Sequence, residues 1–144
     1  MKQNFISTVH AEGQALLAAV DGVDEALLTA APVCGTWTAK EVLSHLAAVR
    51  IVALNAFRQE RAGQEVTWAW SAYPDGNAWN LAEVARRRDR SVAEIRAELE
   101  ATQREILGVL ESLPDSWNEA DSQAGWLPSH EQEHAEALQA LRSR

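Results

Sequence analysis

The sequence predicts an all-α fold, most simply a four-helix bundle. Four segments carry apolar residues at the three-and-four spacing of one helix face. Two of them open on a Thr/Ser-x-x-Glu capping box. No segment alternates apolar and polar residues at period two over a useful length. The 144 residues fit one domain, 1–144, large enough to bury its own core. A composition 47% apolar and 24% charged is that of a folded chain rather than a disordered one.

The first helix is predicted from about Lys2 to Val20, with Ile6, Val9, Gly13, Leu16, Leu17 and Val20 on one face and Asp21-Gly22 as its stop. A short helical turn at Asp24 to Leu28 precedes the break at Pro32. Thr38-Ala39-Lys40-Glu41 caps the second helix, in which each end residue satisfies a free backbone N–H of the other. Its stripe of Val42, Leu43, Leu46, Val49, Ala53, Leu54 and Phe57 runs to about Arg61, before Gly63. The long connection 62–80, between helices two and three, holds Trp68, Trp70, Tyr73 and Trp79 around a Pro74-Asp75-Gly76 turn. Connections of this length inside a domain are usually functional or partly structured, and this one is expected to lie against the bundle.

A short helix is predicted at Leu81 to Arg88. The third long helix follows from Ser91-Val92-Ala93-Glu94 to Leu113, with Ile95, Leu99, Ile106, Val109 and Leu110 inward. Pro114-Asp115 ends it, and the next loop holds Trp117 and Trp126. Pro128-Ser129 starts the last helix, with Ser129 as N-cap and Gln132 at the N3 place. Its stripe is His130, His134, Ala137, Leu138 and Leu141.

Thirteen basic against twenty-one acidic residues give a net charge of −8, which disfavours nucleic-acid phosphates and anionic membranes as partners. The only basic cluster, Arg86, Arg87, Arg88 and Arg90, lies beside Glu83 and Asp89 and reads as a solvated helix end. No apolar run approaches the ~20 residues of a membrane span. The opening MKQNFISTVHAEGQ turns polar too soon for a secretory leader, so a cytoplasmic location is expected. The lone cysteine, Cys34, excludes an internal disulfide and a cysteine-rich zinc site, and reads as a small buried residue.

His130 and His134 stand at i,i+4 on an inward helix face, a spacing at which two imidazoles can share one metal ion. His45 sits at the margin of the second helix's stripe. In an up-down-up-down bundle helices two and four are parallel, and all three imidazoles converge at similar depth. A crossover through 62–80 would make helices two and three parallel instead, and convergence then requires the last helix to start partway along the bundle. Three histidines with one position open is the pattern of a catalytic metal site. Zinc and nickel are the first candidates, with iron and manganese as further options. Such an ion lowers the pKa of bound water or thiol, or polarises a carbonyl. His10 lies at the edge of its stripe and reads as a partly exposed structural residue.

The run from His130 to His134 also matches H-E-x-x-H, in which the glutamate is a general base. A protease is not expected, because no strand pattern offers an edge to a peptide. Glu131 remains the candidate base, or else a favourable charge in the first turn of its helix. The tryptophans fall near helix ends or in loops, where Trp68, Trp70, Trp79 and Trp126 would wall a substrate pocket or plug the bundle ends.

Gly35-Thr-Trp-Thr-Ala-Lys-Glu-Val-Leu-Ser-His45-Leu-Ala47 resembles the opening of the second helix in the DinB/YfiT-like superfamily. The terminal His130-Glu-Gln-Glu-His134 resembles the last-helix H-x-x-x-H of that superfamily. The stretch from Asn77 to Ser91 is similar to its ClbS-like and maleylpyruvate-isomerase-like branches. The resemblance implies a bundle, often dimeric, with a divalent metal on His45, His130 and His134. It further implies thiol-dependent transferases or isomerases that use a low-molecular-weight thiol, or ClbS-like protection proteins that need no metal. Where relatives often carry an aromatic and an acid, this chain has Val49 and Arg50. Arg50, in the apolar sector, reads either as an anion or carboxylate binder near the site or as an arginine whose head snorkels out. The expected function is a metal-dependent S-transferase, isomerase or hydrolase acting on a small molecule. The alternatives are a small-molecule binding or protection protein, or a metal-free bundle.

Overall fold

In the computed structural model, which describes residues 1–143, helices supply nearly all regular structure. They are α1 Lys2–Val20, α2 Glu25–Ala30, α3 Ala39–Arg61, α4 Gly76–Arg86, α5 Val92–Glu111 and α6 Leu127–Gln139. Strands β1 Pro32–Cys34 and β2 Trp37–Thr38 form a small antiparallel hairpin ahead of α3. Its turn uses Gly35 at φ 58°, a conformation open to glycine at little cost. Strands of two and three residues are too short to show a period in sequence, and Cys34 is exposed there rather than buried.

Both capping boxes form as their spacing requires, Thr38 with Glu41 and Ser91 with Glu94. α4 starts at Gly76, five residues before the predicted Leu81, because the Asp75 side chain accepts from the Ala78 amide and caps it. α6 begins at Leu127 with Pro128 in its first turn, so Ser129 is not the N-cap. The Ser129 hydroxyl instead donates back to the Trp126 carbonyl.

Cross-helix contacts fix the topology. Arg50 reaches the Leu99 carbonyl, Arg58 pairs with Glu105, and Arg61 with Ser112, so α3 and α5 are parallel. Lys2 reaches the Leu113 carbonyl and Arg96 pairs with Asp21, so α1 runs against α5. Arg142, just past α6, donates to the Ala18 carbonyl near the end of α1, while the chain start pairs with Glu119. The order is therefore up-down-down-up, with the connection 62–91 as the crossover, and not up-down-up-down.

α3 is the central helix, and every residue from Val42 to Arg50 is buried. The apolar core falls into two clusters, one toward each end of the bundle. One joins Leu16, Ala19 and Val20 to Val42, Leu43, Leu46, Ala47, Ile95, Leu99, Ala135 and Leu138. The other joins Phe5 and Val9 to Ala53, Phe57, Ile106, Leu110 and Leu127. Between them each long helix contributes a small or polar residue: Gly13, Arg50, Gln103 and Glu131. A Cβ at Gly13 would collide with the Gln103 amide, which donates to the Val9 carbonyl at 3.0 Å.

The basic cluster is not wholly solvated. Arg87 is buried and pairs with Glu83 and Glu98, each at 2.9 Å, tying the crossover to α5. Burial pushes the Glu98 carboxyl up, but hydrogen bonds and charge from Arg87 and Arg90 outweigh it and hold Glu98 below its ordinary 4.5. That stabilisation is present above about pH 4.5 and is lost as pH falls through the lower folded value. Arg87→Ala is expected to cost about 1–3 kcal/mol at pH 7, since it removes the buried partner of two partly buried carboxylates and leaves them only the more exposed Arg86 and Arg90. Urea unfolding of both proteins at pH 7 and pH 3 checks this, with the gap narrowing in acid.

Candidate metal centre

The Thr38–Glu41 box fixes the start of α3 and places His45 in its second turn. α6 runs antiparallel to α3. Ser122 and the Gln123 amide both donate to the Glu60 carboxylate at the C-terminal end of α3, and three further residues pass before Leu127 opens α6 within the core cluster of Ala53 and Phe57. The last helix thus starts partway along the bundle, as the crossover arrangement requires. His130 and His134 then lie opposite His45, with ring centroids 5.2 and 5.3 Å from it and 4.7 Å from each other.

One ligand nitrogen from each ring lies within 4.8 Å of the others. His45 Nε2 and His130 Nε2 face each other at 3.3 Å. Two ligands on a tetrahedral ion with bonds of ~2.0–2.1 Å stand about 3.3 Å apart, so the pair already has that spacing. The three residues fit a metal ion. Nδ1 of His45 and of His130 is buried without a hydrogen-bond partner among the described residues. Aromatic packing orients the rings instead: Trp37 and Trp79 lie 5.3 and 6.5 Å from His45, and Trp126 lies 6.0 Å from His130.

Burial and the neighbouring rings hold all three histidines neutral. His45 is lowered to about 3, first by desolvation and then by His130 and His134, against a weak opposing effect of Asn80. His130 is lowered to about 4 by burial and by His134, and burial also lowers His134. Neutral imidazoles are the metal-binding form.

Two of the three histidines open on a cleft of about 270 Å³ walled by His45, Val49, Trp70, Gly76, Trp79, Asn80, Trp126 and His130, with His134 behind them. None of these wall residues is a lysine, arginine, aspartate or glutamate. Trp70 meets Trp79 edge-on at 5.4 Å and Trp126 at 6.2 Å. Trp68 stacks flat on Trp70 from behind, at 4.9 Å and 8°, and so supports the wall.

Sequence spacing found the three histidines and the tryptophans of the wall. It did not find Asn80 or Gly76, which α4 brings in and which carry no spacing signal. Two expected site residues lie elsewhere. Arg50 neither binds at the cleft nor snorkels: it is fully buried, with Nε and Nη2 both donating to Glu131 Oε2 and Nη1 to the Leu99 carbonyl at 2.7 Å. Glu131 is fully buried against it and takes no part in the cleft wall, in place of the expected base. Burial raises the Glu131 carboxyl, with Arg50 working against the shift. His10 is exposed and apart from the triad.

Residues 8–138 match the model of the DinB superfamily, and the chain belongs to that superfamily. No curated protein and no solved structure matches it.

The depressed histidines set an acid limit on the metal-free protein. The ordinary value is 6.5, and the folded values of His45 and His130 lie near 3 and 4. The unfolded chain therefore takes up protons first. The stability held above pH 6.5 is lost as pH falls through the folded values, with an upper slope of about 1.4 kcal/mol per pH unit per histidine. Chelator-treated wild type is expected to lose more stability between pH 6.5 and 5 than His45→Gln, measured by urea unfolding.

Proposed function

We propose that this DinB-superfamily bundle is a divalent-metal-dependent enzyme acting on a small, largely apolar molecule by S-transfer, isomerisation or hydrolysis. The observation that carries this reading is the convergence of three neutral imidazoles, two of which, His45 and His130, line a tryptophan-walled cleft. When bound, a divalent ion would supply Lewis acidity, activating a water or a low-molecular-weight thiol as nucleophile or polarising a carbonyl. His45, His130 and His134 would hold it, and zinc or nickel suits an imidazole donor set. Trp70, Trp79 and Trp126 take the apolar body of the substrate and exclude water, while Trp68 braces them. The Asn80 amide, with donors and an acceptor, orients a polar group of the substrate.

The same tryptophan wall favours a second reading, a protein that binds and sequesters an apolar small molecule without chemistry. Metal dependence separates the two. Protein purified without a histidine tag and incubated with zinc or nickel is expected to hold about one ion per chain by elemental analysis. His134→Ala is expected to lose it. Wild type that stays metal-free after zinc, nickel, iron and manganese would overturn the enzyme reading and leave sequestration, to be followed by thermal-shift screening of apolar ligands.

A further inference from the structure

The triad joins α3 to α6, yet α6 at the level of its histidines is not held by apolar packing. Leu127 belongs to one core cluster, and Ala135 and Leu138 to the other. Between them the inward position of α6 is Glu131, adjacent in sequence to His130 and three residues before His134. Apolar packing is non-directional and fixes the distance between helices better than their rotation. A hydrogen-bonded ion pair is directional and has one good geometry.

Arg50 and Glu131 form such a pair, and it spans the same two helices as the triad. Arg50 comes from α3, five residues after His45. Two of its nitrogens donate to one oxygen of Glu131, and a third anchors the guanidinium to the Leu99 carbonyl of α5. Each α-helical residue is turned about 100° from the last, so Glu131 lies about 100° from His130 and about 60° from His134. Holding Glu131 inward against Arg50 therefore turns both histidines toward His45 and the cleft. A rotation of α6 that carried the imidazoles away would pull the carboxylate off the guanidinium and leave both charges buried and unpaired.

We infer that Arg50 and Glu131 are positioning residues, whose buried ion pair sets the rotation and register of α6 and so brings His130 and His134 into ligand geometry with His45. The inference rests on the reading of the triad as a metal site, but its geometric half does not need a metal. Paired buried charges can be replaced by apolar residues of similar volume without loss of folding, and their best-attested use is to fix register. The double variant Arg50→Met/Glu131→Leu separates positioning from stability on that ground.

Two measurements test it. In the metal-free proteins, NMR reports the nuclear Overhauser effects between ring protons of His45 and His130. With Co(II) as probe, titration followed by absorption reports affinity and ligand-field bands. The double variant is expected to unfold cooperatively, to show weakened ring–ring effects, and to bind Co(II) about 10- to 100-fold more weakly with altered bands, the scale typical of lost support to ligands. A folded double variant with wild-type ring contacts and wild-type Co(II) affinity would overturn the positioning role. Should it fail to fold, Glu131→Asp keeps the charge and shortens the reach by one methylene, and is expected to weaken the ring contacts and Co(II) binding. Unchanged values in that variant would overturn the inference equally. A wild type that binds no Co(II) would sink the metal reading alone, and the ring–ring contacts would then decide the positioning role.

Discussion

The buried pair of Arg50 and Glu131 is the constraint around which the rest of the bundle is arranged. An arginine and a glutamate removed from water each carry a desolvation cost of several kcal/mol, and only close mutual geometry offsets it. The surroundings supply most of that geometry, with both arginine donors on Glu131 Oε2 and Oε1 left without a partner among the described residues. The Leu99 carbonyl takes a further donor of the guanidinium, and the Gln103 side chain on the same helix bonds to α1 in the space that Gly13 leaves open. The layer divides the apolar core in two, with leucines, alanines and phenylalanines closing over it at either end. A chain that buries charge at its centre cannot slide or rotate its helices freely, because each alternative packing strands a charge in an apolar environment.

The crossover does for the cleft what the ion pair does for the ligands. Making α3 and α5 parallel obliges the chain to travel the length of the bundle between them, and that passage supplies the wall. Its return carries Trp68 and Trp70 in an irregular stretch, then Trp79 and Asn80 on α4. α4 is held to α5 through Arg87 and Glu98, so the wall is anchored by directional contacts as well as by its rings. The segment after α5 stays at the C-terminal end of α3 as far as Gln123, and α6 then starts at Leu127 among the core residues near Ala53 and Phe57, so that its histidines come opposite His45.

Much of this was legible in the sequence for physical reasons. α1, α3 and α5 carry apolar periods that act locally, and α3 and α5 begin where their capping boxes stand. The i,i+4 histidines declare themselves because helical geometry alone places them together. The topology was not legible, since nothing local distinguishes a crossover from a hairpin when the connection is long. Arg50 and Glu131 were each visible, but as separate anomalies. A charge in an apolar stripe has no meaning until its partner is known, and that partner lies 81 positions away. A clue lay in α6 itself, where Leu127, Glu131, Ala135 and Leu138 form the inward row. The histidines drew attention to the edge of that row and away from its centre.

The separation between the two constellations bears on the chemistry. Glu131 faces the interior, so the glutamate next to His130 in the H-E-x-x-H run is withheld from the ligand set, while the second carboxylate of the run, Glu133, is exposed on the outer side of the helix. The donors are then three neutral imidazoles whose buried Nδ1 atoms on His45 and His130 have no carboxylate behind them. Carboxylate partners make imidazole a more basic ligand, and their absence leaves more of an ion's charge unneutralised. In a cleft whose wall carries no charged side chain, the charge of a bound ion would be poorly screened, and His45, His130 and His134 would present it as a strong Lewis acid. Placing the acid in the core rather than in the site fits the positioning role inferred for it and leaves an uncharged set of three imidazoles, held neutral by burial, to face an ion.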